Sequence, residues 1–113
     1  GLRYFIERIH YEYNKKIPIY ITENGMANKD LLDKKNEITD EDRIEYFDLH
    51  LKEVLKCLHK GIPIKGYFAW SLMDNYEWSF GYEKRFGLVY VDYQSFKRTP
   101  KKSYYEFQKQ LCI

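Results

Sequence analysis

Two apolar runs with strand character, Ile17-Pro18-Ile19-Tyr20-Ile21 and Ile62 to Leu72, stand on either side of one long amphipathic segment. Ile17, Ile19 and Ile21 have the period and the β-branched side chains of a strand, and Pro18 suits only the start of one. The second run is apolar almost throughout, as expected of a parallel strand covered on both faces. Between them, Ile44, Phe47, Leu51, Val54, Leu55 and Leu58 form one stripe at helical spacing. Thr39 or Asp40 is placed to cap that helix, Glu41 and Asp42 complement its dipole, and Gly61 supplies its stop, so the helix should run from about Glu41 to His59. Strand, helix, strand is the βαβ unit of a parallel sheet or a barrel, and the fold class is α/β.

The flanking segments extend this unit. Leu2, Phe5, Ile6, Ile9 and Tyr13 recur as one face of a helix from Leu2 to Tyr13. Met26 to Glu37 is polar and lysine-rich and reads as an exposed loop on the side where the first strand ends. Phe86 to Val91 reads as a strand pairing with Phe96-Lys97-Arg98 across a turn at Asp92 to Ser95. Pro100 then opens a last helix carrying Tyr104, Phe107, Gln108 and Leu111 along one side. With no repeat and no linker, residues 1–113 are one piece of one domain.

Composition excludes some functions. The 19 basic and 17 acidic residues are mixed along the chain for a net charge of +2, so no basic face points to nucleic acid. No apolar run approaches the roughly 20 residues that span a bilayer, so no membrane partner is implied. The chain opens on a helical pattern rather than a signal peptide; its start reads as an internal cut and leaves the compartment open. Cys57 and Cys112 lack metal or disulfide spacing and read as ordinary thiols. Aromatic residues make up 19%, including 12 Tyr, which suits sugar binding as well as core packing.

Glu23 falls where the first strand stops, ahead of the turn signal Asn24-Gly25, and in parallel α/β folds that edge is where catalytic groups gather. Spacing alone also allows a surface carboxylate before a loop. Glu77 beside Trp78 has the same two readings, a site group or solvent-facing polarity next to a core anchor.

The motifs favour the site reading of both. Ile21-Thr22-Glu23-Asn24-Gly25 resembles the nucleophile motif of the retaining β-glycosidases of glycoside hydrolase family 1. Gly66-Tyr67-Phe68-Ala69-Trp70-Ser71-Leu72-Met73-Asp74-Asn75-Tyr76-Glu77-Trp78 resembles that family's strand eight and the loop after it, and Arg85-Phe86-Gly87-Leu88-Val89-Tyr90-Val91-Asp92 resembles the following hairpin. The resemblance runs from about Leu2 to Leu111. It implies the C-terminal quarter of a (β/α)8 barrel, its last two strand–helix units, with Glu23 ending strand seven.

In retaining chemistry one carboxylate attacks the anomeric carbon to form a glycosyl-enzyme ester, while a second carboxylic acid protonates the leaving oxygen and later activates water. By resemblance Glu23 is the nucleophile, Glu77 accepts hydrogen bonds from glycone hydroxyls, Trp78 donates one through its indole, Trp70 packs on the sugar's apolar face, and Phe86 shapes the pocket near the hydroxymethyl end. The family's acid/base glutamate sits in an Asn-Glu-Pro motif that this chain lacks; Asn36-Glu37-Ile38 lies in a polar loop ahead of a helix and does not replace it. The phospho-glycosidase branch carries a serine at the position of Glu77, where a carboxylate would repel a phosphate. The resemblance therefore implies a β-glucosidase acting on unphosphorylated β-glucosides, with galactosides and fucosides as sugars the same contacts tolerate. It implies no cofactor and no metal, a small-molecule β-glycoside as substrate, and a need for the remaining barrel segment. The rival readings are a sugar-binding remnant without catalysis and a degenerate fragment.

Overall fold

The computed structural model describes residues 1–13 and 16–111. In chain order it contains α1 (Leu2–Arg8), a wider π-helical turn over Ile9–Tyr13, β1 (Ile19–Asn24), α2 (Glu41–His59), β2 (Ile64–Ala69), a short 3-10 turn at Trp78–Phe80, β3 (Val89–Val91), β4 (Arg98–Pro100) and α3 (Lys102–Leu111). β1 and β2 lie parallel, with Ile19 opposite Ile64, Tyr20 opposite Gly66, Ile21 opposite Tyr67 and Asn24 opposite Ala69. α2 is the crossover, so the central βαβ unit is as the periodicity implied.

One small core holds the unit together: Ile6 from α1, Ile21 from β1, Val54 and Cys57 from α2, and Ile62 ahead of β2, with Leu2, Ile19, Ile64 and Tyr67 around them. α1 is fastened across α2 by Arg3 to Glu53 at 2.9 Å and Lys60 to Glu7 at 2.5 Å. These pairs lie at the rim and contribute little beyond orientation. α3 leans on α2 and β2 through Phe107, whose ring centroid is 5.2 Å from that of Phe47 and 6.5 Å from that of Tyr67.

Several expectations change at the level of elements. The N-terminal helix is α-helical only to Arg8; the π turn then brings His10 rather than Ile9 or Tyr13 into the interior. Pro18 precedes β1 instead of opening it. α2 buries Arg43, Phe47, Val54 and Cys57, while Leu55 and Leu58 stay exposed, because the buried face turns Val54 and Cys57 toward α1 and β1, Phe47 toward α3 and Arg43 toward the loop after β1. Asp40 is the N-cap residue but makes no capping bond; its carboxylate is taken up by Arg43 and Ser103. Gly61 ends the helix as expected, at φ +77°.

The hairpin differs from what the sequence implied: its first strand is Val89–Val91 rather than Phe86 to Val91, and the connection runs over residues 92–97 rather than 92–95. β3 pairs with Arg98–Pro100, with Val91 opposite Arg98 and Val89 opposite Pro100, and not with residues 96–98. Pro100 thus closes a strand rather than opening a helix. A proline is tolerated there because the next amide, that of Lys101, donates to Leu88 O and sustains the pairing. Cys57 is buried and free; Cys112 lies outside the described residues.

The sheet has only two strands, and one of its faces is bare. Tyr20 of β1 and Phe68 of β2 are exposed, as are Trp70 and Leu72 just beyond β2. The run Ile62 to Leu72 is therefore apolar on two faces but covered on one. Among the described residues no helix is long and apolar enough to cross a membrane.

Candidate active site

Because β1 and β2 are parallel, their C-terminal ends share one edge of the sheet. Glu23 is the penultimate residue of β1 and is exposed there. The Trp70 amide, just past β2, donates to Asn24 O at 2.8 Å and places Trp70 beside the end of β1. Gly25 is needed for this approach and not for a turn: its φ is not positive, and a Cβ at that position would run into the Trp70 carbonyl. The Asn24-Gly25 turn expected from the sequence does not form; Asn24 remains in the strand. The Trp70–Ser71 peptide is cis.

Asn24 is held from two further directions. The Tyr67 hydroxyl donates to its Oδ1 at 2.6 Å, and its Nδ2 donates to the Tyr46 hydroxyl of α2 at 3.1 Å. Burial pushes the Tyr67 hydroxyl well above the ordinary tyrosine pKa, with the nearby Tyr46 adding to the shift, so Tyr67 stays a donor. The residue after the candidate nucleophile is thereby fixed by β2 and α2 together.

Phe86 reaches the same edge through the backbone. The Ser71 amide donates to Phe86 O at 3.0 Å, and the Leu88 amide returns a bond to Ser71 O at 2.8 Å, so residues 86–88 run alongside the extension of β2. Gly87 is confined here, since a Cβ would meet the backbone of Met73 and Asp74. Glu77 and Trp78 lie further out on the intervening loop. Glu77 is half-buried and its amide donates to Gly81 O at 2.7 Å; Trp78 is 84% exposed, with φ +37°. Trp70 and Phe86 are thus brought to the edge that carries Glu23, whereas Glu77 and Trp78 stand on a loop that spans from it. A surface concavity of about 510 Å³ between residues 37–39 and the start of α3 includes none of these five side chains. Among the described residues, no group of three or more His, Cys, Asp or Glu is arranged to hold a metal ion.

Sequence reasoning missed what fastens the loops. Asp40, Arg43, Asp30, Lys101, Asp74 and Arg85 form an alternating chain of three carboxylates and three cations. Arg43 is fully buried and bonds both Asp30 oxygens, at 3.0 and 2.6 Å, and also Asp40. Lys101, equally buried, lies 2.6 Å from Asp30 and 2.7 Å from Asp74. Asp74 also accepts from Arg85 at 2.7 Å and from the Gly87 and Val91 amides. Burial alone would lower the Arg43 pKa, but the hydrogen bonds and charges of Asp30 and Asp40 outweigh it and hold Arg43 above the ordinary arginine value. The loop after β1, expected to be wholly exposed, therefore has a buried anchor at Asp30. Asp40 and Arg43, three apart on a helix start, were the one local signal of this network.

A parallel βαβ piece with a carboxylate and aromatic side chains at its strand ends defines the class, an α/β fold of the kind that parallel barrels are built from. The chain belongs to glycosyl hydrolase family 1, whose model matches residues 1–111. It is similar to beta-glucosidase A of Thermotoga maritima, at 45% identity over 93% of this chain and 23% of that protein. It is also similar to a 6-phospho-beta-galactosidase of Clostridium acetobutylicum, at 48% identity over 96% of this chain and 23% of that protein. The solved family 1 β-glucosidase of T. maritima superposes with a TM-score of 0.95 at 42% identity, covering 98% of this chain and 25% of that one. The chain spans about a quarter of the length of the relatives it matches, and its α/β fold is that of a corresponding piece of the family's barrel.

Proposed function

We propose that residues 1–113, as one piece of a single domain, supply the last two strand–helix units of a retaining β-glucosidase barrel, with Glu23 as its nucleophile. The observation that supports this reading is the Asn24–Trp70 backbone bond, which holds Trp70 beside the C-terminal end of β1, the end that carries Glu23. Glu23 attacks the anomeric carbon as the leaving group departs, giving a glycosyl ester that water then hydrolyses. The acid that protonates the leaving oxygen must come from another part of the barrel, about 5 to 5.5 Å from Glu23 for retention of configuration. Trp70, Glu77, Trp78 and Phe86 form the glycone side: Glu77 accepts from sugar hydroxyls, Trp78 donates through its indole, Trp70 stacks, and Phe86 borders the hydroxymethyl end.

Similarity to 6-phospho-beta-galactosidases favours a second reading, in which the glycone is phosphorylated. Glu77 argues against it, because a carboxylate facing that end of the sugar repels a phosphate. The test of the first reading uses the complete barrel. Glu23→Gln should abolish turnover of an aryl β-glucoside while leaving sugar binding within about threefold, since shape is kept and only the nucleophile is lost. A 2-fluoro-glucoside should label the peptide containing Glu23; label on any other carboxylate rejects the assignment.

A further inference from the structure

Lys101 takes no part in the chemistry above, yet its ammonium is fully buried between Asp30 and Asp74. Replacing buried ion pairs by apolar side chains of the same volume is often neutral, so this arrangement is weak evidence for stabilisation and leaves a role in fixing geometry to be tested. The two carboxylates it joins belong to different loops. Asp30 lies in the loop that follows Glu23, and Asp74 opens the loop that carries Glu77 and Trp78. Asp74 also gathers the far end of that second loop, accepting from the Gly87 amide at 2.9 Å and from Arg85 at 2.7 Å. Lys101 has its own backbone tied to Leu88 O at 2.9 Å, so the ammonium is held from behind.

The neighbouring links run the same way. Asn28 and Arg85 exchange backbone bonds at 2.9 and 3.0 Å, and Arg43 Nη2 donates to Arg85 O at 2.9 Å. The Arg85 guanidinium lies over the rings of Tyr90 and Tyr93, at 4.0 and 4.5 Å from their centroids. Among the described residues, the hydrogen bonds and ion pairs of Asp30, Arg43, Asp74, Arg85 and Lys101 go to one another, to Asp40 and to backbone, not to Glu23 or Trp78.

We propose that Lys101 is a positioning residue: by bridging Asp30 and Asp74 it sets the spacing between the Glu23 loop and the Glu77–Trp78 loop. This rests on the glycosidase reading of those two loops. Without the bridge the binding-competent arrangement is only fractionally populated, so substrate binds more weakly while the bound complex still turns over.

The test compares Lys101→Met with the double variant Asp30→Asn/Lys101→Met in the complete barrel. The single variant leaves three buried carboxylates facing two cations and can lose stability for that reason alone. The double variant restores balance, with Asp40 and Asp74 against Arg43 and Arg85, and leaves the Asp74 bonds to Arg85, Gly87 and Val91 in place. Asparagine also accepts the positive φ of position 30, which is +45°. The expected result for the double variant is a thermal midpoint recovered toward the parent, KM for an aryl β-glucoside raised at least about fivefold, and kcat within about twofold. Amide hydrogen exchange should quicken over residues 75–88 and stay parental over α2. A parental KM with parental exchange over residues 75–88 overturns the proposal, as does a KM that recovers in step with the midpoint. Glu23→Gln is run alongside. Surviving turnover there defeats the catalytic reading by itself, and the exchange pattern still judges the bridge.

Discussion

On the proposed reading, Glu77 is the residue whose charge would reject a phosphorylated sugar. It is half-buried and its amide is pinned to Gly81, so the carboxylate stands on a defined backbone. In the complete barrel, Glu77→Ser should raise KM for unphosphorylated glucosides, because hydroxyl contacts are lost, and should weaken the rejection of 6-phospho-glucosides, because repulsion is lost. Steady-state kinetics with both substrates checks this. Values of kcat/KM within about twofold of the parent for both, under roughly 0.5 kcal/mol, would mean that Glu77 makes no glycone contact. Gly25 teaches a different lesson at the same scale. The dipeptide Asn24-Gly25 looks like a turn, yet glycine is required there because the Trp70 carbonyl occupies the space a Cβ would need. Local propensity cannot reveal a constraint imposed by a residue on the neighbouring strand.

At the scale of elements, the clearest join is the relay from β2 through β1 to α2: Tyr67 donates to Asn24, and Asn24 donates to Tyr46. Tyr67→Phe should destabilise the barrel by about 1 kcal/mol, the usual worth of a hydrogen bond, as read from the urea midpoint at neutral pH. It should also alter the pH dependence. Burial raises the Tyr67 pKa in the folded chain, so the folded state keeps its proton when the unfolded state has lost it. Its contribution is whole below the ordinary tyrosine value of about 10 and declines as pH rises above it. The parent should therefore lose stability above about pH 10 more steeply than the Phe variant; parallel curves would show that Tyr67 is not the group responsible. The element order α2 between two parallel strands was legible because each has its own period of apolar residues. The hairpin register was not, since β3 could pair one step earlier or later by pattern alone. The Lys101 amide bond to Leu88 carries the pairing past Pro100.

As a whole molecule the chain is a slab, not a ball. It measures 49 × 33 × 18 Å with a radius of gyration of 16.0 Å, where a compact domain of this length has about 13 Å. Tyr20, Phe68, Trp70 and Leu72 are exposed along the two-stranded sheet, and each strand has an unpaired edge. Residues 1–113 alone should therefore self-associate and unfold without a sharp transition, since edges and apolar faces pair with whatever they meet. They should also hydrolyse no aryl β-glucoside, because without a general acid the reaction lacks a factor of about 10² to 10⁴. Size-exclusion with light scattering and an activity assay check both; a monodisperse, cooperatively unfolding monomer refutes the first, and Glu23-dependent turnover the second. The sequence by itself determined the βαβ order, the span of α2, the place of Glu23 near a strand's C-terminal end and the family, because periodicity, caps and contiguous motifs are local properties of the chain. Only the tertiary structure decided that Asp30, Asp40 and Asp74 meet Arg43, Lys101 and Arg85 in the interior, that Gly25 yields to Trp70, and that one face of the sheet lies open. Those facts depend on which distant residues converge, and charge pairing across loops leaves no period in the sequence to read.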